Sequence, residues 1–158
     1  DGEGVATRRK EVISHGTLTT LLHNLKTAKK AGCESTGNAA RGGYASPAMG
    51  IAPMNFHFQP GEDDLDALCA KMGRGIVITD VSGLHAGANA VSGDFSLGAK
   101  GYLIEGGEIV RTVNQITIAG NFFELLKNVD AVCDDLYFGM ARYGSPTIRI
   151  RELSVAGK

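Results

Sequence analysis

The sequence predicts an α+β domain with a predominantly antiparallel, barrel-like β-sheet and about three short helices. Three observations lead there. Seven or so strand-like runs are linked mostly as hairpins, only three segments carry helical periodicity, and no regular strand-helix-strand repeat appears. At 158 residues the chain suits one domain, 1–158, large enough to bury roughly two thirds of its unfolded surface. Its 43% apolar and 21% charged residues are globular in character.

Between Thr7 and Leu22 two β-compatible runs flank His15 and Gly16, a hairpin with Gly16 suited to positive φ. Asn24 to Ala31 favours a helix, with Asn24 as N-cap and Gly32 as the stop. Cys33 to Gly50, rich in glycine, serine and alanine, is expected as a long loop. In Ile51 to Gln59 the residues Met54, Phe56 and Phe58 alternate with Asn55 and His57, the period of a half-buried strand with His57 turned from the aromatic side. Glu62 to Gly73 reads as a helix with acids in its first turn, Leu65, Leu68, Cys69 and Met72 on one face and Lys71 near its end.

Gly75 to Val81 is a β-branched strand, and Ala99 to Val113 is a hairpin turning at Gly106 and Gly107. Asn121 to Val129 is a helix capped by Asn121, with Phe122, Leu125, Leu126 and Val129 on a stripe. Val132 to Phe138 and Thr147 to Val155 complete the strands. Between two strands lies the most unusual composition, Ser82 to Ser96 (SGLHAGANAVSGDFS), a built loop of the sort that carries binding or catalysis on a rigid scaffold.

Net charge is -1, which gives no broad pull toward nucleic acid, and Arg8, Arg9 and Lys10 read as a solvated face. Cys33, Cys69 and Cys133 are far apart and form no CxxC pair, which argues against a disulfide framework or zinc ribbon and for a reducing cytoplasm. No apolar run approaches the roughly 18 residues that cross a bilayer, so no membrane is expected. The chain opens on Asp1 without an initiator methionine, and it is expected to be a piece of a longer protein.

Catalytic candidates are few. The histidines His15, His23, His57 and His85 lie eight or more residues apart, none followed by glutamate, so no HExxH-type pair can present two metal ligands from one helix face. His85 and Asp94 could meet if their loop folds back, as an acid/base pair or, more plainly, as groups that hold the loop's shape. Autonomous catalysis through Cys133 and His85 is disfavoured, because nothing orients such a pair. Gly83, Gly87 and Gly93, with His85, could present bare backbone to an extended peptide or partner, and Ser35, Thr36, Gly37 and Asn38 offer hydrogen-bonding groups in the same way. A phosphate cradle lacks the required glycine spacing.

The loop Ser82 to Ser96, the run Ser35 to Gly43 (STGNAARGG) and the ending Gly144 to Gly157 (GSPTIRIRELSVAG) together resemble the C-terminal half of the TldD/PmbA family, peptide-maturation proteases also called modulators of DNA gyrase. The resemblance covers nearly the whole chain and is closer to the PmbA (TldE) branch. It implies a cytoplasmic metallopeptidase-related protein, in which a TldD-like subunit carries zinc or iron on HExxxH and this chain, without cofactor, shapes the chamber and the partner interface. Implied partners are a TldD-like subunit or a second copy, and unfolded peptide. Cys133 lies near the offset before Pro146 at which TldD-type members place a ligating cysteine, but the flanking glycines are replaced by Val132 and Asp134. A buried structural cysteine is the plainer reading. The alternative function is a non-catalytic module that holds extended peptide.

Overall fold

The computed structural model describes residues 1–42, 48–139 and 142–157. The first elements are β1 (Ile13–Ser14), β2 (Thr17–Leu18), α1 (Leu25–Ala31), β3 (Ala39–Arg41), β4 (Met49–Ile51), β5 (Phe56–His57) and α2 (Leu65–Met72). There follow β6 (Arg74–Ser82), α3 (Leu84–Gly87), β7 (Asp94–Glu105), β8 (Glu108–Asn121) and α4 (Phe122–Lys127). The chain closes with β9 (Val129–Val132), β10 (Tyr137–Phe138), β11 (Tyr143–Ser145), β12 (Ile148–Ile150) and β13 (Ser154–Ala156). Two compact units form, Asp1–His57 with Phe138–Gly144, and Phe58–Tyr137 with Ser145–Lys158.

In the first unit β1 and β2 make the expected hairpin, with His15 at φ 48° and Gly16 at φ 76° supplying its two left-handed turn residues. It is far shorter than the Thr7 to Leu22 pattern suggests. Ile13 and Leu18 are over half exposed, so no buried face rewards longer pairing. Helix α1 is capped as expected: Asn24 Oδ1 accepts from Thr27 N at 2.8 Å, Thr27 Oγ1 accepts from Asn24 N at 3.1 Å, and Gly32 takes φ 67°.

Two expectations fail in this unit. The long loop Cys33 to Gly50 contains β3, paired antiparallel with β4, because strand geometry tolerates small residues whose backbone finds partners; residues 43–47, Gly43 among them, lie outside the described residues. The expected strand Ile51 to Gln59 is broken. Asn55 adopts φ 50°, and Met54, Phe56 and Phe58 are all exposed rather than half-buried. Of that run only Ile51, the last residue of β4, and β5 are strand; β5 pairs in parallel with β11, and the His57 ring meets Phe138 edge-on at 5.3 Å.

The second unit is built on an antiparallel sheet ordered β13-β8-β7-β6. The turn sits where expected, at Gly106 (φ 62°) and Gly107 (φ 87°), but the strands run to Asp94 and Asn121, well beyond Ala99 to Val113. Leu97, Ala99, Val113, Ile116 and Ile118 form the core, with Ile76, Ile78 and Leu103 packed on it. Alternation alone would place Val113 and Ile116 on opposite faces. The register steps two residues on β7, Ala99 to Gly101, against three on β8, and the extra residue brings both inward. Gln115, at φ 54°, is part of that bulge.

Helix α2 starts at the Asp64 cap, whose side chain accepts from Ala67 N at 2.7 Å, and stops at Gly73. Leu68 and Cys69 are buried, whereas Leu65 is 39% exposed and leaves the expected apolar face. A Cβ on Gly75 would collide with the Met72 sulfur, so α2 closes directly over the start of β6.

Helix α4 ends at Lys127, with Asn128 N donating to Glu124 O and Leu125 O. Val129 therefore belongs to β9, and Phe122 is half exposed, so the expected stripe is not buried. The runs Val132 to Phe138 and Thr147 to Val155 each split. β12 pairs with β9, while β13 pairs with β8, because the chain turns between Ile150 and Ser154, where Arg151 N donates to Asn128 O. Asp130 Oδ1 and Oδ2 accept from Arg149 Nε and Nη2 at 2.8 and 3.0 Å across the β9–β12 pair. The architecture is α+β and mainly antiparallel; among the described residues there are four short helices and no sheet closes into a barrel.

Candidate functional site

The glycine-rich segment after β6 is not one open loop. Gly83, at φ 86°, starts the short helix α3, which ends as Gly87 N donates to Gly83 O at 2.7 Å. A Cβ on Gly87 would strike the Ser96 carbonyl, so this glycine lets α3 lie against β7. Asn89 Oδ1 then accepts from Val91 N and Ser92 N, an Asx turn closed by Gly93 N donating to Asn89 O at 2.8 Å. Gly93, at φ 81°, passes the Phe123 ring, which a Cβ would approach to 2.7 Å.

Asn121 ties this turn to the sheet and to α4. Its Oδ1 accepts from Phe123 N at 3.0 Å, capping the helix, while Nδ2 donates to Ser92 O at 2.9 Å and Asp94 Oδ1 at 2.8 Å. That donation, with the Ser92 hydroxyl, holds the Asp94 carboxyl below the usual carboxylate range, so Asp94 is an ionised acceptor at neutral pH. His85 is exposed on α3 and, among the described residues, has no hydrogen bond to Asp94. The acid/base geometry weighed from the sequence is not assembled. Asn89 and Asn121 are the residues the sequence undervalued, one within a loop of small residues and the other read only as a cap.

Replacing Asn121 with Ala should remove a cap and two ties at once, and cost about 1–2 kcal/mol. Thermal unfolding of the variant should show a fall of about 5 °C. Asn121→Asp keeps the capping oxygen yet sets a second carboxylate beside Asp94, so it should restore little. An unchanged melting point would refute the junction.

In the first unit, Ser35, Thr36, Gly37 and Asn38 turn inward. Thr36 Oγ1 accepts from His23 N at 2.7 Å and lies 2.9 Å from Asn38 Oδ1; Ser35 Oγ lies 3.3 Å from His23 O and accepts from Gly37 N. Asn38 Nδ2 donates to Ala52 O at 3.1 Å, and Thr36 and Asn38 are buried. Gly37, at φ 68°, leaves a gap that a Cβ would close to 2.6 Å from the Ala6 carbonyl. These groups satisfy one another and the neighbouring backbone.

Cys133 is completely buried. Its N donates to Thr147 O at 2.8 Å, its carbonyl accepts from Gly61 N at 2.9 Å, and it bridges Asp63 in parallel. Burial, then the carboxylates of Asp135, Asp134, Asp63 and Asp64, push its thiol up to about 11. The acids around it are engaged: Asp63 takes the Lys71 ammonium at 2.7 Å, and Asp135 accepts from Thr147 N and Oγ1, both at 2.7 Å. No histidine belongs to this group, and among the described residues no three His, Cys, Asp or Glu side chains converge as a metal site needs. Zinc or iron does not fit these residues. Alkylation by iodoacetamide at pH 8 should label exposed Cys33 and spare Cys133 until the chain unfolds, read by mass spectrometry; native labelling of Cys133 would contradict its burial.

The chain matches the family described as PmbA/TldA metallopeptidase C-terminal domain over residues 1–157. It is 42% identical over 86% of its length to "Metalloprotease PmbA homolog" of Haemophilus influenzae and 33% identical over 100% to "Metalloprotease PmbA" of Escherichia coli. It spans 28% and 32% of those relatives' lengths. Among solved structures, a candidate modulator of a DNA gyrase from Thermotoga maritima is 47% identical with a TM-score of 0.87, covering 99% of this chain and 35% of that one. TldE from Thermococcus kodakarensis is 29% identical with a TM-score of 0.84, covering 99% and 36%. The chain belongs to the PmbA/TldD family, as a C-terminal domain of its PmbA/TldE-type, metallopeptidase-related proteins.

Proposed function

We propose that this chain serves a cytoplasmic peptidase assembly as its non-metal-binding, PmbA/TldE-like part, shaping the chamber and the partner interface for maturation or degradation of unfolded peptides. Its partner is a TldD-like subunit or a second copy. The observation that carries this reading is the apolar surface around the junction built by Asn121. Val91 is 91% exposed, and Leu84, Phe122 and Phe123 are 50–57% exposed, at the end of β7 where polar groups are spent on holding the turn. Large apolar side chains held in water by an ordered turn fit the core of a protein interface. The enclosed thiol of Cys133, pushed up by burial, supports a reading in which hydrolysis lies elsewhere in the assembly.

Co-expression with a TldD-type subunit tests it. A stable complex should form that cleaves unfolded peptide, and this chain alone should not. Val91→Asp with Phe122→Asp should prevent the complex while leaving the circular dichroism of the chain unchanged. Cleavage by the chain alone, or a complex indifferent to both substitutions, would overturn the reading. A second reading, a peptide-holding module with no peptidase role, draws on β6, a nine-residue edge strand able to pair with an extended chain. A complex that forms and binds peptide without cleaving it would favour that module.

A further inference from the structure

Charge is unevenly divided along this chain. The first unit holds eight Lys and Arg against four Asp and Glu, a formal +4, and the second holds eight against thirteen, a formal -5. The six ion pairs among the described residues all lie in the second unit. In the first, Arg8, Arg9, Lys10, Lys26, Lys29 and Lys30 have no carboxylate within 4.0 Å among the described residues.

Two of the four acids there are already used by backbone: Asp1 accepts from Val5 N and Ala39 N, and Glu3 from Leu25 N. Burial, and secondarily the charge of Arg8, lower the affinity of Lys10 for its proton.

Two of these cations, Arg8 and Lys29, line a groove of about 600 Å³. Its lining includes Val5, the half-exposed Leu25 and the buried Ala28, with Arg8 and Lys29 supplying positive charge and Glu34 the one carboxylate. We propose that this groove binds an acidic peptide segment, an apolar side chain seated against Val5, Leu25 and Ala28 with neighbouring carboxylates facing Arg8 and Lys29. Apolar lining and charge complementarity together select this occupant. Among the described residues the groove has no aromatic side chain on which bases could stack, so a nucleic acid strand would meet only half of what it needs. The proposal rests on the peptide-handling role above and narrows it to acidic, apolar-anchored segments.

Fluorescence anisotropy with the whole chain tests it, using a labelled peptide in which Asp and Glu alternate with Leu and Val. A Lys and Arg counterpart, a neutral Ser and Gly counterpart with the same apolar residues, and an oligothymidylate serve as comparators. The acidic peptide should bind best and weaken as salt rises. Arg8→Glu with Lys29→Glu should weaken it about tenfold, since two exposed charge contacts are reversed. Lys100→Glu with Lys127→Glu makes the same change of charge in the second unit and should leave binding nearly unchanged. Equal binding of the neutral or basic peptide, or indifference to the first double substitution, overturns the acidic preference and leaves general peptide handling standing. Displacement of the peptide by oligothymidylate makes the surface a nucleic acid site instead. Failure of every peptide to bind removes this groove and leaves the peptide-handling role to the co-expressed complex, whose loss of peptidase activity bears on that role alone.

Discussion

Ile104→Ala should destabilise this protein by about 3–4 kcal/mol, the cost of a large-to-small change at a site that cannot collapse. Ile104 has no exposed surface. It stands opposite Gly75 in the β6–β7 register, and antiparallel partners project to the same face. On that face the position of a Gly75 Cβ is filled by Met72 of α2, so Ile104 lies on the side of the sheet that α2 covers. Truncation would leave a void between a helix and two strands held by backbone pairing. For a chain of this length the midpoint should drop by about 10 °C. Ile104→Val should cost about 1 kcal/mol. Chemical denaturation measures both, and an Ala variant within experimental error of the parent would refute this packing.

Gly101→Ala is expected to cost about 2–3 kcal/mol, for the opposite reason. A methyl group there would overlap the Val77 carbonyl oxygen and come within 3.0 Å of the Ile78 Cα. Both obstacles are backbone of the paired strand, which cannot swing aside, and Gly101 borders register shifts toward both β6 and β8. Gly98→Ala, in the same strand, meets the Ser82 hydroxyl at 2.7 Å, the end of a side chain free to rotate, and should be far milder. Comparing their unfolding midpoints separates backbone crowding from any general intolerance of alanine in β7. Equal effects would remove the distinction.

The two variants also locate what the sequence could not convey. Ile104 is one apolar residue in a run of several, and only pairing with Gly75 beneath α2 makes it inaccessible. Gly101 sits in a pattern that reads as ordinary strand; its constraint comes from a chain more than twenty residues away. The same holds for Val113 and Ile116, whose three-residue spacing breaks alternation until the bulge at Gln115 restores a common face.

That Ser82 to Ser96 is an ordered segment was legible in the sequence; which groups its polar side chains bond was not. Glycines, small residues and one aspartate marked Ser82 to Ser96 as a built segment, and that composition does order α3 and the Asn89 turn. His85 and Asp94 are separated because the Asp94 carboxylate is taken by Asn121, 27 residues on, a partner that spacing within the loop could not reveal. Ser35, Thr36 and Asn38 looked like surface donors. They are consumed by His23 and Ala52, because β3 and β4 carry that stretch into a paired, partly buried position.

By itself the sequence determined the α+β class, the helices capped by Asn24 and Asn121, the helix that ends at Gly73, the turns at Gly16 and Gly106, and the family. Each depends on local residues whose preferences act over a few positions: caps satisfy free amides, and glycine admits left-handed backbone. Only the tertiary structure decided where strands break, which glycines are packed, and which polar groups remain available. Burial and hydrogen-bond partners at these positions come from residues distant in the chain, and local spacing carries no record of them.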